Sequence, residues 1–409
     1  MANTVTIVAW QALPAVFPDA GDRIGGLETA AWQFATGLAR QGDWKVQLVV
    51  RCDSRRPSTV VDGVRVIPIT DRWLAIRRNV AKCIDVPDRR ITRFQVSLLW
   101  QVPLLAFTWP WRSRDVSGFE PDPRLLPIDS DVWIAMGVSR ESAAVISTAA
   151  AQRRPSLLMI RSAADLSEDY ADGGPQTTSP YGESSQACRH AIDSATMVVC
   201  QAAYQQRQLR SRFGREGALV RNAIDLSHWR STTVATAPPA GYVLWIGRYE
   251  TFHKRIDRAI AIARGCPQIP FRLVANPSDE AVEQSVLESL PDNVTLLDYV
   301  PHDQMPAMFA GASVFLSTGS AHYEGFPNVL LQAAATDTPI VSLEDFDGFV
   351  KTSCSGIVCE DDRQAATAIG EFVQGKRTID HAAVQAYVEQ HHSPAKVINE
   401  LARVIRASG

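Results

Sequence analysis

Short uninterrupted apolar runs alternate along the chain with longer segments whose apolar positions recur at helical spacing. Residues 4–9, 45–50, 131–137, 156–160, 196–200 and 218–220 read as strands, with helices over 27–40, over 139–151 and in the segment ending at 213. The pattern resumes with strands over 242–246, 271–275, 294–297, 314–317, 340–342 and 356–359, and helices over 256–264, 365–373 and 382–405. This sustained alternation of β and α predicts an α/β chain. It is interrupted by a Ser/Thr/Ala/Pro tract without periodicity at 231–241, which reads as a linker between an N-terminal domain over 1–230 and a C-terminal domain over 242–409. Residues 167–185, rich in Gly, Ser and Pro, read as a mobile loop.

A length of 409 residues exceeds one ordinary core, in agreement with two domains. The formal charge of -3 and pI near 6.3 argue against a nucleic-acid partner. Seven cysteines without paired spacing read as free thiols of a reducing compartment, and the N-terminus MANTVTIVAW lacks a secretory pattern, so a cytoplasmic protein is expected. Residues 71–114 stand apart: nine Lys or Arg against three Asp surround an uncharged stretch holding Trp100, Trp109 and Trp111. Pro103 and Pro110 break it, so it is no transmembrane helix. Two readings stay open there, a core helix with a loop, or a peripheral contact with an anionic membrane or acceptor on the inner membrane face. Asp129-Ser130-Asp131 and Asp345-Phe346-Asp347 have D-x-D spacing but read as strand or turn edges. Adjacent His391 and His392, at an expected break within 382–405, point to different faces and make a poor metal pair.

The chemistry concentrates in STGSAHYEGFPNVLLQAAATDTPIVS, residues 317–342. A strand ends at small polar residues, a loop carries Glu324, Gly325, Phe326, Pro327 and Asn328, and Leu- and Ala-rich sequence then favours a helix over 329–335. The helix start leaves N–H groups over Phe326, Pro327, Asn328, Val329 and Leu330 as a cradle for an anion, Pro327 itself lacking the donor. Gly325 permits close approach. Glu324, at the rim of the turn, suits ligand hydroxyls, and Gln332 lies one or two helical turns deeper.

EGFPNVLLQ resembles the E-x(7)-E region of the retaining glycosyltransferases of sequence family four, with Gln332 replacing the second Glu. Three further stretches are similar to that family. Gly25-Gly26 resembles its glycine loop, Gly247-Arg248 with Lys254 its paired donor-phosphate cations, and Arg221 to Asp225 its domain-junction signature. The resemblance implies two Rossmann-like domains facing across a cleft, the GT-B architecture, and transfer of a sugar from a nucleotide-diphosphate donor to an acceptor hydroxyl without a metal or other cofactor. By that likeness Glu324, Arg248 and Lys254 are the catalytic candidates. Gly26, Gly247, Val300, Gly325, Phe326, Pro327, Asn328, Val329, Leu330 and Gln332 are the donor-binding candidates. Family members often carry a His on the strand end near Met136, and this sequence has none. That absence and Gln332 leave a silent sugar-nucleotide-binding subunit as the competing class, with a nucleotide-sugar epimerase as a third.

Overall fold

The computed structural model describes residues 3–20, 25–71, 84–85, 93–94, 99, 103, 106–107, 117–171, 183–231, 241–301 and 303–409. Trp100, Trp109, Trp111 and the tract 232–240 lie outside the described residues, as does most of the basic segment 71–114. The described residues contain no helix long and apolar enough to cross a membrane.

Aliphatic runs without in/out alternation must be covered on both faces, which is the condition of a parallel sheet flanked by helices. Two such sheets form. The first runs, edge to edge, Gly217–Leu219, Met197–Cys200, Ser156–Met159, Val132–Met136, Asn3–Val8, Trp44–Cys52, Val64–Thr70 and Thr59–Val61. Only the last strand pairs antiparallel. The second runs Val294–Leu297, Phe271–Asn276, Tyr242–Arg248, Ala312–Ser317, Ile340–Ser342 and Gly356–Val358.

In both sheets the chain starts in the middle, moves to one edge, then returns and builds toward the other. Strand order therefore reverses between Asn3–Val8 and Val132–Met136 in the first sheet, and between Tyr242–Arg248 and Ala312–Ser317 in the second. Loops leaving the carboxyl ends of such a pair diverge to opposite faces and open a crevice, the usual ligand position in open α/β sheets.

The strands expected from the sequence are present, and helix Asn328–Ala335 begins one residue before the predicted start. The 382–405 segment is two helices, His381–His392 and Pro394–Ser408, joined at Ser393, with the break directly after the two histidines as expected. Within 167–185, Glu168–Ala171 is helical and helix Ser185–Ser194 begins at Ser185, while 172–182 lie outside the described residues.

Two sets of contacts cross the domain boundary expected from the sequence. Ile224 and Trp229, before the expected linker, pack with Tyr242, Phe309 and Phe315 after it. The chain then crosses back at its end: Val397, Leu401 and Ile405 of the last helix are buried in the first-domain core beside Phe34 and Leu38. Gly37 makes this possible, because a Cβ there would lie 2.4 Å from Ile398 Cδ1. Arg406 Nη2 donates to Asp43 at 2.7 Å and Gln41 Nε2 to Asn399 Oδ1 at 2.7 Å at the same contact. A mid-helix glycine costs about 1 kcal/mol in propensity. Here it allows close helix-to-helix approach.

Candidate active site

The two loops at the second sheet's reversal point carry the cluster. One leaves Tyr242–Arg248 and holds Glu250, His253, Lys254 and Arg255; the other leaves Ala312–Ser317 and holds Thr318, Gly319 and Glu324. They are laced together by backbone and side chain. Ser320 N–H donates to His253 O at 2.8 Å, and Thr318 Oγ1 donates to Lys254 O at 2.6 Å while accepting from Trp245 Nε1 at 2.8 Å. Arg255, in the left-handed region at φ 53°, donates to the carbonyls of Thr318 and Gly319 and lies 3.2 Å from Glu344. Those contacts occupy Arg255, while Lys254 beside it faces Glu324.

Glu324 is not at the rim, as expected, but 7% exposed. Lys254 Nζ is ion-paired with its Oε1, and His253 Nε2 lies 3.2 Å from its Oε2. Burial alone would raise the carboxyl's pKa; the Lys254 charge and the His253 contacts outweigh it and hold the group at about 2. His253 is pulled down by burial and more strongly up by Glu250 and Glu324, so its pKa is raised. Its Nδ1 lies 3.3 Å from Glu250 Oε1 and 3.2 Å from Arg248 Nη2. Arg248 lies 3.3 Å from Glu250 and leaves 45% of its side chain exposed. The result is a buried carboxylate between Lys254 and His253, with Arg248 partly exposed beside them. A pocket lined by Trp245, Lys254, Thr318, Glu324, Pro327 and Val329 opens beside it.

The remaining candidates divide by which part of the residue reaches the cleft. Phe326 packs its ring against Phe349 and His392, with centroids 5.3 and 5.4 Å away, and Leu330 is fully buried, so neither offers a side chain to a ligand. Leu330 also fails as a backbone donor, since its N–H goes to Pro327 O at 3.1 Å. The anion cradle is thus shorter than the sequence implied. Val300 packs against the second core. Gly247 serves packing, because a Cβ there would lie 2.4 Å from the Trp245 ring. Gln332 Oε1 is buried and has no hydrogen-bond partner.

The turn after Glu324 is held against the first domain. The Tyr204 hydroxyl lies 2.7 and 2.9 Å from the carbonyl oxygens of Glu324 and Gly325, and Ser162 Oγ donates to Tyr323 O at 2.6 Å. Asn222 Nδ2 donates to Phe326 O at 3.1 Å and to Asn328 Oδ1 at 2.7 Å. A Cβ on Gly26 would lie 3.2 Å from Asn328 Nδ2, which places the glycine loop opposite the helix start. Asp347 accepts from the N–H groups of Ala203 and Tyr204 at 3.0 and 3.2 Å. It thereby caps, from the other domain, a helix whose own cap residue Ala202 has no side-chain acceptor. Asp131 is likewise structural, accepting from Thr4 N–H at 2.8 Å and pairing with Arg154. His392 is buried with Nδ1 at 2.8 Å from Asn222 O. Among the described residues no group of three or more His, Cys, Asp or Glu gathers as a metal would require.

Sequence reading missed His253, Asn222 in its bridging role, and Tyr204. His253 stands next to Lys254, but a lone histidine carries no signal until the fold brings Glu324 to it.

Two Rossmann-like sheets whose switch points face one another define the GT-B fold, and similarity across the whole chain agrees. Sucrose-phosphate synthase of Thermosynechococcus elongatus superposes with TM-score 0.67 at 15% identity, over 99% of this chain and 98% of that one. HepE of Anabaena in complex with UDP-glucose gives TM-score 0.63 at 13% identity over 99% and 100%. S. aureus TarM, in a complex containing UDP, gives 0.63 at 10% over 98% and 99%. No curated protein matches the sequence. Residues 240–374 match the family model described as Glycosyl transferases group 1, in the part of the chain where the sequence most resembles that family.

Proposed function

We propose that the chain is a metal-independent, retaining glycosyltransferase that moves a sugar from a nucleotide-diphosphate donor to an acceptor hydroxyl. The observation that carries this is the buried Glu324 carboxylate held between Lys254 and His253 at the reversal point of the second sheet, with Arg248 open beside it. Breaking the donor's anomeric C–O bond builds positive charge on the sugar and negative charge on the departing diphosphate. Fixed cations at the phosphate and a fixed carboxylate toward the sugar lower that barrier without reorganising. The acceptor oxygen forms the new C–O bond on the face the diphosphate leaves, and its proton passes to a phosphate oxygen of that leaving group. No protein nucleophile takes part.

Because HepE and TarM are described with UDP, UDP is the first nucleotide to titrate. Arg248→Ala and Lys254→Ala are each expected to weaken UDP binding by about 1.5–3 kcal/mol, the worth of a charge-assisted contact, read by calorimetry, and a chelator is expected to change nothing. Unchanged affinity in both variants would place the diphosphate elsewhere.

The competing reading, a silent binding subunit, draws on Gln332. Its unpartnered Oε1 is an acceptor ready for a ligand donor such as a ribose hydroxyl. An amide in that position weakens binding without removing it, so Gln332→Glu is expected to change turnover by less than about tenfold, roughly 1.4 kcal/mol. A native chain inert with every donor, switched on by Gln332→Glu, would replace the enzyme reading with the silent one.

A further inference from the structure

Strand Ser156–Met159 neighbours the reversal pair of the first sheet, and its carboxyl end delivers Arg161 to the cleft wall opposite the donor cluster. The Arg161 carbonyl accepts from Gln201 Nε2 at 2.8 Å and would lie 2.5 Å from a Cβ on Gly325. The residue therefore stands against the turn that carries Glu324. Its guanidinium lies over Phe34, Cζ 5.8 Å from the ring centroid, on the helix that begins at Gly26. Nε and Nη1 are buried and have no hydrogen-bond partner. Among the described residues no carboxylate stands at ion-pair distance from it. Asp165, four residues on, spends Oδ2 on the N–H groups of Arg161 and Ser162 at 2.6 and 3.0 Å, and attracts the guanidinium only from further off. Burial pushes the Arg161 pKa down to about 10, opposed by Asp165, which leaves the group charged at neutral pH. The residue as a whole is only partly covered.

A buried guanidinium with unused N–H donors is matched by the oxygens of an anion. The donor's diphosphate already has Arg248, Lys254 and the Asn328–Ala335 helix start on the other wall. We propose that Arg161 binds an anionic group, phosphate or carboxylate, carried by the acceptor, so that the acceptor is a charged molecule and Arg161 sets that specificity. The word acceptor rests on the glycosyl-transfer reading; the anion site does not.

The test titrates inorganic phosphate, acetate and UDP by calorimetry at fixed ionic strength into the full chain, R161Q, R161K and the double variant R248A/K254A. The expected result is that the wild type binds phosphate or acetate and R161Q weakens this by about tenfold or more. R161K, which keeps the charge and loses the guanidinium's planar set of donors, falls between them, and the double variant retains the anion while losing UDP. Preference for phosphate assigns a phosphorylated acceptor, and preference for acetate a carboxylated one. The proposal is overturned if the wild type binds neither anion, or if R161K and R161Q bind like the wild type. Equal loss of UDP and phosphate in R161Q also overturns it, since Arg161 would then clamp the donor. Should R161Q fail to fold, R161K alone decides. A double variant that keeps UDP affinity counts against the donor-site assignment and leaves the phosphate result readable.

Discussion

Replacing Glu324 with Gln is expected to lower sugar transfer by about 10²–10³-fold, the range for removing one preorganised electrostatic group, while UDP affinity stays within a few-fold. The substitution nearly preserves shape, so the effect is one of charge. Lys254 and His253 both approach this carboxylate, and without its charge the Lys254 ammonium is left facing a neutral amide. Lys254 then becomes freer to meet a diphosphate, which is why nucleotide binding should survive. Steady-state transfer and a UDP titration on the same variant separate the two quantities. Parallel loss of both would make Glu324 a structural counter-ion. The pH dependence has a defined sign. The folded-state pKa of about 2 lies below the ordinary 4.5, so the carboxylate's contribution to stability is present above 4.5 and lost as pH falls through about 2. It is worth on the order of 3 kcal/mol, and the acid limb of the melting profile should flatten in Glu324→Gln.

Gly325→Ala is expected to pull the domains apart, with about a hundredfold loss of transfer and little change in the melting of either domain. A methyl there would lie 1.8 Å from Gln201 Nε2 and 2.5 Å from the Arg161 carbonyl, one side chain and one backbone group of the first domain. The Gln201 side chain can swing aside, but the carbonyl belongs to the strand end and cannot. The contacts from Tyr204 and Ser162 to the turn are then lost together. A displacement of about 1 Å between reacting groups is enough for a 10² effect. Small-angle scattering should report a larger radius of gyration for the variant. Unchanged dimensions with unchanged turnover would show that the turn tolerates the methyl.

Local sequence determined the elements and half of the site. Apolar runs without alternation can only be strands covered on both faces, and the EGFPNVLLQ stretch carries its strand, turn and helix start within one βα unit, so Glu324 and Gly325 were legible without a fold. Lys254 and Arg248 were legible only through the resemblance of their loop to the family's paired donor-phosphate cations. Three matters belonged to tertiary structure alone. The ion pair between Lys254 and Glu324 joins residues whose strands become neighbours only through the sheet's reversal. The last helix returns to the first domain because its apolar face fits against Gly37, a residue that local propensity scores only as a helix penalty. Gly325 reads in sequence as room for a ligand, yet the atoms nearest to it come from Arg161 and Gln201. Each is a contact between segments far apart in the chain, and periodicity, propensity and motif spacing act only over a few turns or one loop.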